Sequence, residues 1–209
     1  MPLFTKYNCL FLHIPKNGGT KISDYITQNS TNYEDVKFIH PENDIEWSHA
    51  TVDMIKSLIP KEYDEAYKFT IVRNPYDKML SEFFYRKKIN YNRSFDGIKN
   101  RFNQFINYLY KNFDTIMQMP HIEKSHFIPQ VEFLDANVAV FKFEKFNQII
   151  NFLNNKFNFK ISNEKINHTD HEHFSIYYDP DSRNKIYELY KEDFLTFGYN
   201  FSCDPLKFQ

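Results

Sequence analysis

Residues 8–28 read NCLFLHIPKNGGTKISDYITQ. A short apolar run, Cys9-Leu10-Phe11-Leu12-His13-Ile14, breaks at Pro15-Lys16-Asn17-Gly18-Gly19-Thr20, and a helical pattern resumes from Lys21. Strand, glycine turn and helix in that order direct backbone N–H groups and a helix N-terminus toward one point, an arrangement suited to an anion. Gly18 and Gly19 let the backbone approach phosphate oxygens and take positive φ. Lys16 adds a point charge on a flexible stem. The chain has four glycines, and two of them fall in this one turn, which argues against chance placement. The order differs from a Walker A loop, where the lysine follows the glycines, and this weakens a nucleoside-triphosphate reading. Taken alone, the stretch also suits an ordinary strand-to-helix turn.

Working outward, Lys68-Phe69-Thr70-Ile71-Val72 reads as a second buried strand and Val138 to Phe143 as a third. Between and after them lie amphipathic segments. Val52, Ile55, Leu58 and Ile59 mark a short helix that Pro60 should end. Asn74 suits an N-cap and Pro75 the first helical position of a helix reaching about Lys88, with Met79, Leu80, Phe83 and Phe84 inward. Further helices are expected over 99–113, from Phe146 to Phe157, and from Asp179-Pro180 toward a Gly198 cap. Residues 29–48, 114–130 and 160–178 read as polar loops. Strands alternating with helices predict an α/β fold with a central parallel sheet flanked by helices. No repeat or domain boundary is visible, so residues 1–209 are expected to form a single domain.

The 209 residues carry a formal net charge of −1 and a pI near 6.7, which gives no global drive toward nucleic acid or acidic membranes. Phe and Tyr number 23 and 15, enough for an aromatic core. Cys9 and Cys203 form neither a disulfide framework nor a zinc motif. No stretch has the length and apolarity of a transmembrane helix and no signal peptide opens the chain, so a soluble and cytoplasmic protein is expected.

Two segments are alike: a buried strand followed at once by a basic residue and a helix start, at Ile14-Pro15-Lys16 and at Val72-Arg73-Asn74-Pro75. In a parallel sheet both turns lie at the carboxyl ends of strands, where ligands bind. A ligand with two separated anionic groups would suit them, because Arg73 can grip a phosphate bidentately and Ser81 can donate a hydroxyl hydrogen bond.

With both segments in view, FLHIPKNGGTKI resembles the 5′-phosphosulfate loop of sulfotransferases and FTIVRNPYDKMLSEFF resembles their 3′-phosphate motif. The similarity is greatest to the carbohydrate enzymes of the heparan 2-O and chondroitin 4-O type. It extends through His49-Ala50-Thr51, Phe143-Glu144, Leu189 to Phe194 and Gly198-Tyr199. The resemblance implies a P-loop-like three-layer α/β fold and the donor 3′-phosphoadenosine-5′-phosphosulfate, with adenosine 3′,5′-bisphosphate as product. It implies that Lys16, Asn17, Gly18, Gly19 and Thr20 hold the 5′-phosphosulfate, and that Arg73 and Ser81 hold the 3′-phosphate. It also implies a glycan or other hydroxyl-bearing acceptor. Asn17 stands where threonine is common in the family, and Lys78 where arginine is common.

Sulfuryl transfer is an in-line displacement by a hydroxyl, and preorganised N–H groups with a lysine, here Lys16, stabilise the charge that develops. The scheme requires no metal, and no compact ligand motif suggests one. The hydroxyl needs a general base, most often histidine. His49 follows the long 29–48 loop where the family carries an active-site histidine; His13, inside the first strand, reads as structural. Two other readings stay open: a P-loop phosphoryl-transfer enzyme, and a catalytically silent glycan- or nucleotide-binding module.

Overall fold

The structure, a computed structural model, describes residues 2–29, 37–38, 49–87, 94–158 and 172–201. Lys88 and Cys203, considered above, lie outside the described residues, as do most residues of the stretches 29–48 and 160–178. In chain order the elements are β1 (Pro2–Phe4), β2 (Cys9–Leu12), α1 (Gly19–Asn29), β3 (Lys37–Phe38), α2 (Val52–Leu58), α3 (Pro60–Glu65), β4 (Tyr67–Val72), α4 (Pro75–Lys87), α5 (Phe95–Lys111), α6 (Phe113–Met117), α7 (His121–Lys124), β5 (Val138–Lys142), α8 (Phe146–Phe157), α9 (Pro180–Leu189) and α10 (Lys191–Phe197). They divide between two compact units, residues 1–73 with 120–165, and residues 74–119 with 166–209.

The first unit is an α/β sandwich built on one sheet of strand order β3-β1-β2-β4-β5. The three strands expected from the sequence are the parallel ones: Leu12 pairs with Thr70 and Val72 with Lys142. The expected parallel sheet gains an antiparallel edge, β1 and β3. These strands are too short for a periodicity signal; β1 returns to β2 through a single 3-10 turn closed by Asn8 in the left-handed region, φ 44°.

Alternation of side chains along the strands makes two unlike faces. On one, Leu10 and Leu12 pack with Val52, Ile55, Ile59 and Tyr63 of the α2–α3 pair. On the other, Phe11 stacks on Phe69 at 4.9 Å, and Phe141 meets Phe152 of α8 at 4.8 Å. Each fully buried ring there contributes about 1.5–3 kcal/mol. Pro60 does end α2, but it also opens α3 as its first residue, a use of proline that suits helix starts as well as stops. The buried ammonium of Lys68 then caps α3, donating to the Tyr63 and Ala66 carbonyls, the latter at 3.0 Å. Cys9 is buried, and desolvation pushes its thiol up to about 12, so it is inert at neutral pH.

The second unit is helical. Asn74 caps α4, its Oδ1 accepting from the Tyr76 N–H at 3.0 Å; Met79, Leu80, Phe83 and Phe84 are buried as expected. The core is aromatic: Tyr76 packs on Phe194 and Tyr178, and Phe102 on Tyr178, with centroids 4.8–5.0 Å apart. Asp179 and Ser182 form a capping box with Pro180 in the first turn of α9. The chain breaks helix at Tyr190 and resumes as α10, which Gly198 ends at φ 60°. Within residues 114–130, expected to be loop, most of α6 and all of α7 form short helices, and a 3-10 turn begins at Gln130. Helices this short bury too few side chains to leave a periodic trace.

Candidate active site

β2 and β4 run parallel, so the turn after Leu12 and the residue after Val72 emerge at the same end of the sheet. The chain leaves β2 through His13, Ile14 and Pro15 and turns at Lys16, whose φ of 68° is left-handed, then at Gly18, φ 76°. A left-handed lysine costs about 1–2 kcal/mol and persists because its surroundings hold it. The Nη1 of Arg73 donates to the Lys16 carbonyl at 2.9 Å. The Arg73 guanidinium also lies over the Phe143 ring, 4.3 Å from its centroid. The same ring sits beneath Gly18, where an added Cβ would come within 2.9 Å of it. Phe143 is thus a floor shared by the loop and the arginine.

Gly19 and Thr20 begin α1, two residues earlier than the expected start at Lys21. The N–H groups of a first helical turn have no intrahelical acceptor, and the helix dipole favours negative charge there. Gly19 is needed for space: a Cβ there would stand 2.1 Å from His13 Cδ2. His13 therefore wedges under the loop, in keeping with a structural role. Thr20 is exposed on the first turn.

Asn17 is buried, and its Nδ2 donates to the Ile71 carbonyl at 2.7 Å and to Gln130 Oε1 at 2.8 Å. Its longer amide reaches where a threonine hydroxyl would not. Asn17 Oδ1, buried as well, has no hydrogen-bond partner among the described residues. Gln130, fully buried, also brackets Arg73: Oε1 accepts from the Arg73 N–H and Nε2 donates to the Arg73 carbonyl, each at 2.9 Å. Sequence reasoning missed Gln130. It follows Pro129 in a stretch read as polar loop, and glutamine carries no mark of burial in a sequence.

His49 joins the loop from the other side. Its Nδ1 lies 3.0 Å from the His13 carbonyl oxygen. A carbonyl can only accept, so Nδ1 carries the proton, and in the neutral ring the lone pair is on Nε2. His121 Nε2–H donates in turn to the His49 carbonyl at 2.8 Å. The His49 ring meets the rings of His13 and His126 edge-on, at 4.7 and 5.5 Å. Burial lowers His49 to about 4, with the neighbouring charges of His126 and His121 acting the same way and the bond to His13 opposing. Burial, with His49 and His126 beside it, lowers His13 to about 3. Both rings are neutral at physiological pH. Among the described residues, no group of three or more His, Cys, Asp or Glu is arranged to hold a metal ion.

Lys16, Asn17, Gly18, Gly19, Thr20, Arg73 and His49 therefore all lie in the first unit, tied together through backbone contacts. Ser81 belongs to the second unit, on α4, where it is buried. Arg86, on the last turn of α4, pairs with the buried carboxylate of Glu82.

A family model described as the sulfotransferase family matches residues 3–200, nearly the whole chain and both units. This chain belongs to the sulfotransferase family. Its general chemistry is sulfuryl transfer, and its α/β sheet flanked by helices accords with that membership. No curated protein and no solved structure matches it. No helix among the described residues is long and apolar enough to cross a membrane.

Proposed function

We propose that this sulfotransferase moves a sulfuryl group from 3′-phosphoadenosine-5′-phosphosulfate to a hydroxyl of a carbohydrate, with the two units acting as one domain. One observation carries the reading: the turn at Lys16–Thr20 and Arg73 share one end of the sheet, joined by the bond from Arg73 Nη1 to the Lys16 carbonyl. The residues fit such a donor. Gly18 and Gly19 let the turn pack closely on Phe143 and His13, the first turn of α1 offers N–H groups, and Lys16 and Arg73 bring positive charge. When bound, the nucleotide supplies the sulfuryl group. Lys16 and the α1 N–H groups would stabilise the charge that develops on the 5′-phosphate side, Arg73 would bind the 3′-phosphate, and His49 Nε2 would take the proton from the hydroxyl. The assignment of Ser81 to the 3′-phosphate rests on its motif. The lysine-before-glycine order argues against phosphoryl transfer, and turnover in a labelled-sulfate transfer screen would exclude a silent binding module.

The donor half of this reading is tested by thermal shift. Adenosine 3′,5′-bisphosphate should stabilise the protein far more than AMP or ATP, by roughly 2.7 kcal/mol at about 100 times its Kd. Arg73→Ala should remove most of that preference; equal binding of AMP and the bisphosphate by the wild type would refute the donor. The acceptor half is tested by a labelled-sulfate transfer screen. Sulfate should appear on oligosaccharides, and turnover of simple phenols with none on any glycan would overturn the carbohydrate assignment.

A further inference from the structure

We infer that Gln130 is a positioning residue for the donor nucleotide: one buried amide sets the spacing between the glycine turn and Arg73. The inference rests on the donor reading above. Paired residues in the β2–β4 ladder end at Leu12 and Thr70. Beyond that point the turn and Arg73 are joined by a closed circuit of hydrogen bonds. Asn17 Nδ2 donates to Gln130 Oε1, which also accepts from the Arg73 N–H. Gln130 Nε2 donates to the Arg73 carbonyl, and Arg73 Nη1 returns to the Lys16 carbonyl.

The circuit needs a side chain that accepts twice and donates once from a buried position, and an uncharged amide does so. Glutamate would keep the two acceptor bonds but set a carboxylate oxygen against the Arg73 carbonyl. Methionine, close in shape, would make none of the three. Arg73 is held at both its backbone and its guanidinium, so a shift of its backbone moves the charge relative to the turn. A ligand reaching only the turn would be little affected, and one spanning turn and arginine would bind more weakly. The amide of Gln130 thus bears on the discrimination between a 3′-phosphorylated nucleotide and one without that group.

Calorimetric titration with adenosine 3′,5′-bisphosphate and with AMP tests this on wild type, Gln130→Met and Gln130→Glu. Both variants should lose roughly tenfold of the preference for the bisphosphate, the equivalent of one or two neutral hydrogen bonds, while AMP affinity changes little. If Gln130→Met does not fold, the isosteric Gln130→Glu decides. Folded variants that keep the wild-type preference, or that weaken both nucleotides equally, overturn the positioning role and leave the donor reading intact. A wild type that binds the two nucleotides equally overturns the donor reading itself, and this inference with it.

Discussion

Replacing His49 with alanine is expected to lower kcat by about 10²–10⁴-fold, the usual contribution of a general base and roughly 3–5 kcal/mol of barrier, with affinity for adenosine 3′,5′-bisphosphate nearly unchanged. The basis is the hydrogen bond from His49 Nδ1–H to the His13 carbonyl, which orients the ring and leaves Nε2 as the proton acceptor. Lys16→Ala should behave differently, weakening both donor binding and kcat, because the proposed role of its charge is to hold the phosphosulfate and to stabilise the leaving group. The pH profile adds a second readout. From the sequence alone, a rate that rises with pH through the ordinary histidine range is expected. Burial moves that limb, because His49 is lowered to about 4. The base form is neutral, so kcat should be flat from roughly pH 5.5 to 8 and fall only below, toward His49's own value. A variant that keeps kcat within about threefold, less than a lost base costs, would remove His49 from the mechanism. A wild-type limb centred near pH 6.5, the ordinary histidine value, would show that His49 is not desolvated as described.

The same burial should make the first unit acid-labile. His13 and His49 titrate at about 3 and about 4 when folded, against 6.5 when exposed. Below the unfolded value the unfolded chain binds more protons than the folded one, so stability falls as pH falls. The stability tied to the neutral rings is whole above about pH 6.5 and is lost progressively toward the folded values, at about 1.36 kcal/mol per pH unit per ring. Between about pH 6.5 and 4.5 the loss should be a sizeable fraction of a domain's marginal stability. Asp135 and Asp179 are lowered by hydrogen bonds, despite some burial, and lose their contribution only at more acidic pH. Urea unfolding at a series of pH values measures the slope. It should be steep in the wild type and largely absent in a His13→Gln/His49→Gln double variant, whatever that variant's stability at pH 7. An unchanged slope in the variant would place the acid lability elsewhere.

Both results turn on features that differ in how they are encoded. The turn 15–20 and the start of α4 were legible in the sequence because their signals are local. The left-handed Gly18 and the close packing at Gly19 both call for glycine, although the left-handed Lys16 leaves no such mark; a first helical turn calls for Asn74-Pro75, and a basic residue must follow its strand directly to reach a ligand at the strand end. The three parallel strands were legible for the same reason, as short apolar runs; β2 and β4 are buried on both faces, whereas β5 is only partly covered. Membership of the sulfotransferase family follows from that order of local signals.

What tertiary structure alone decided is where side chains far apart in sequence meet. Gln130 clamps Arg73 across 57 positions, and Phe143 underlies both Gly18 and the Arg73 guanidinium. His121 and His126 reach His49 from a segment read as plain loop. The tautomer of His49 and its lowered proton affinity belong to this second group. A histidine in a sequence has an ordinary pKa, and only the carbonyl it bonds and the rings that exclude water from it determine which nitrogen keeps the proton and at what pH.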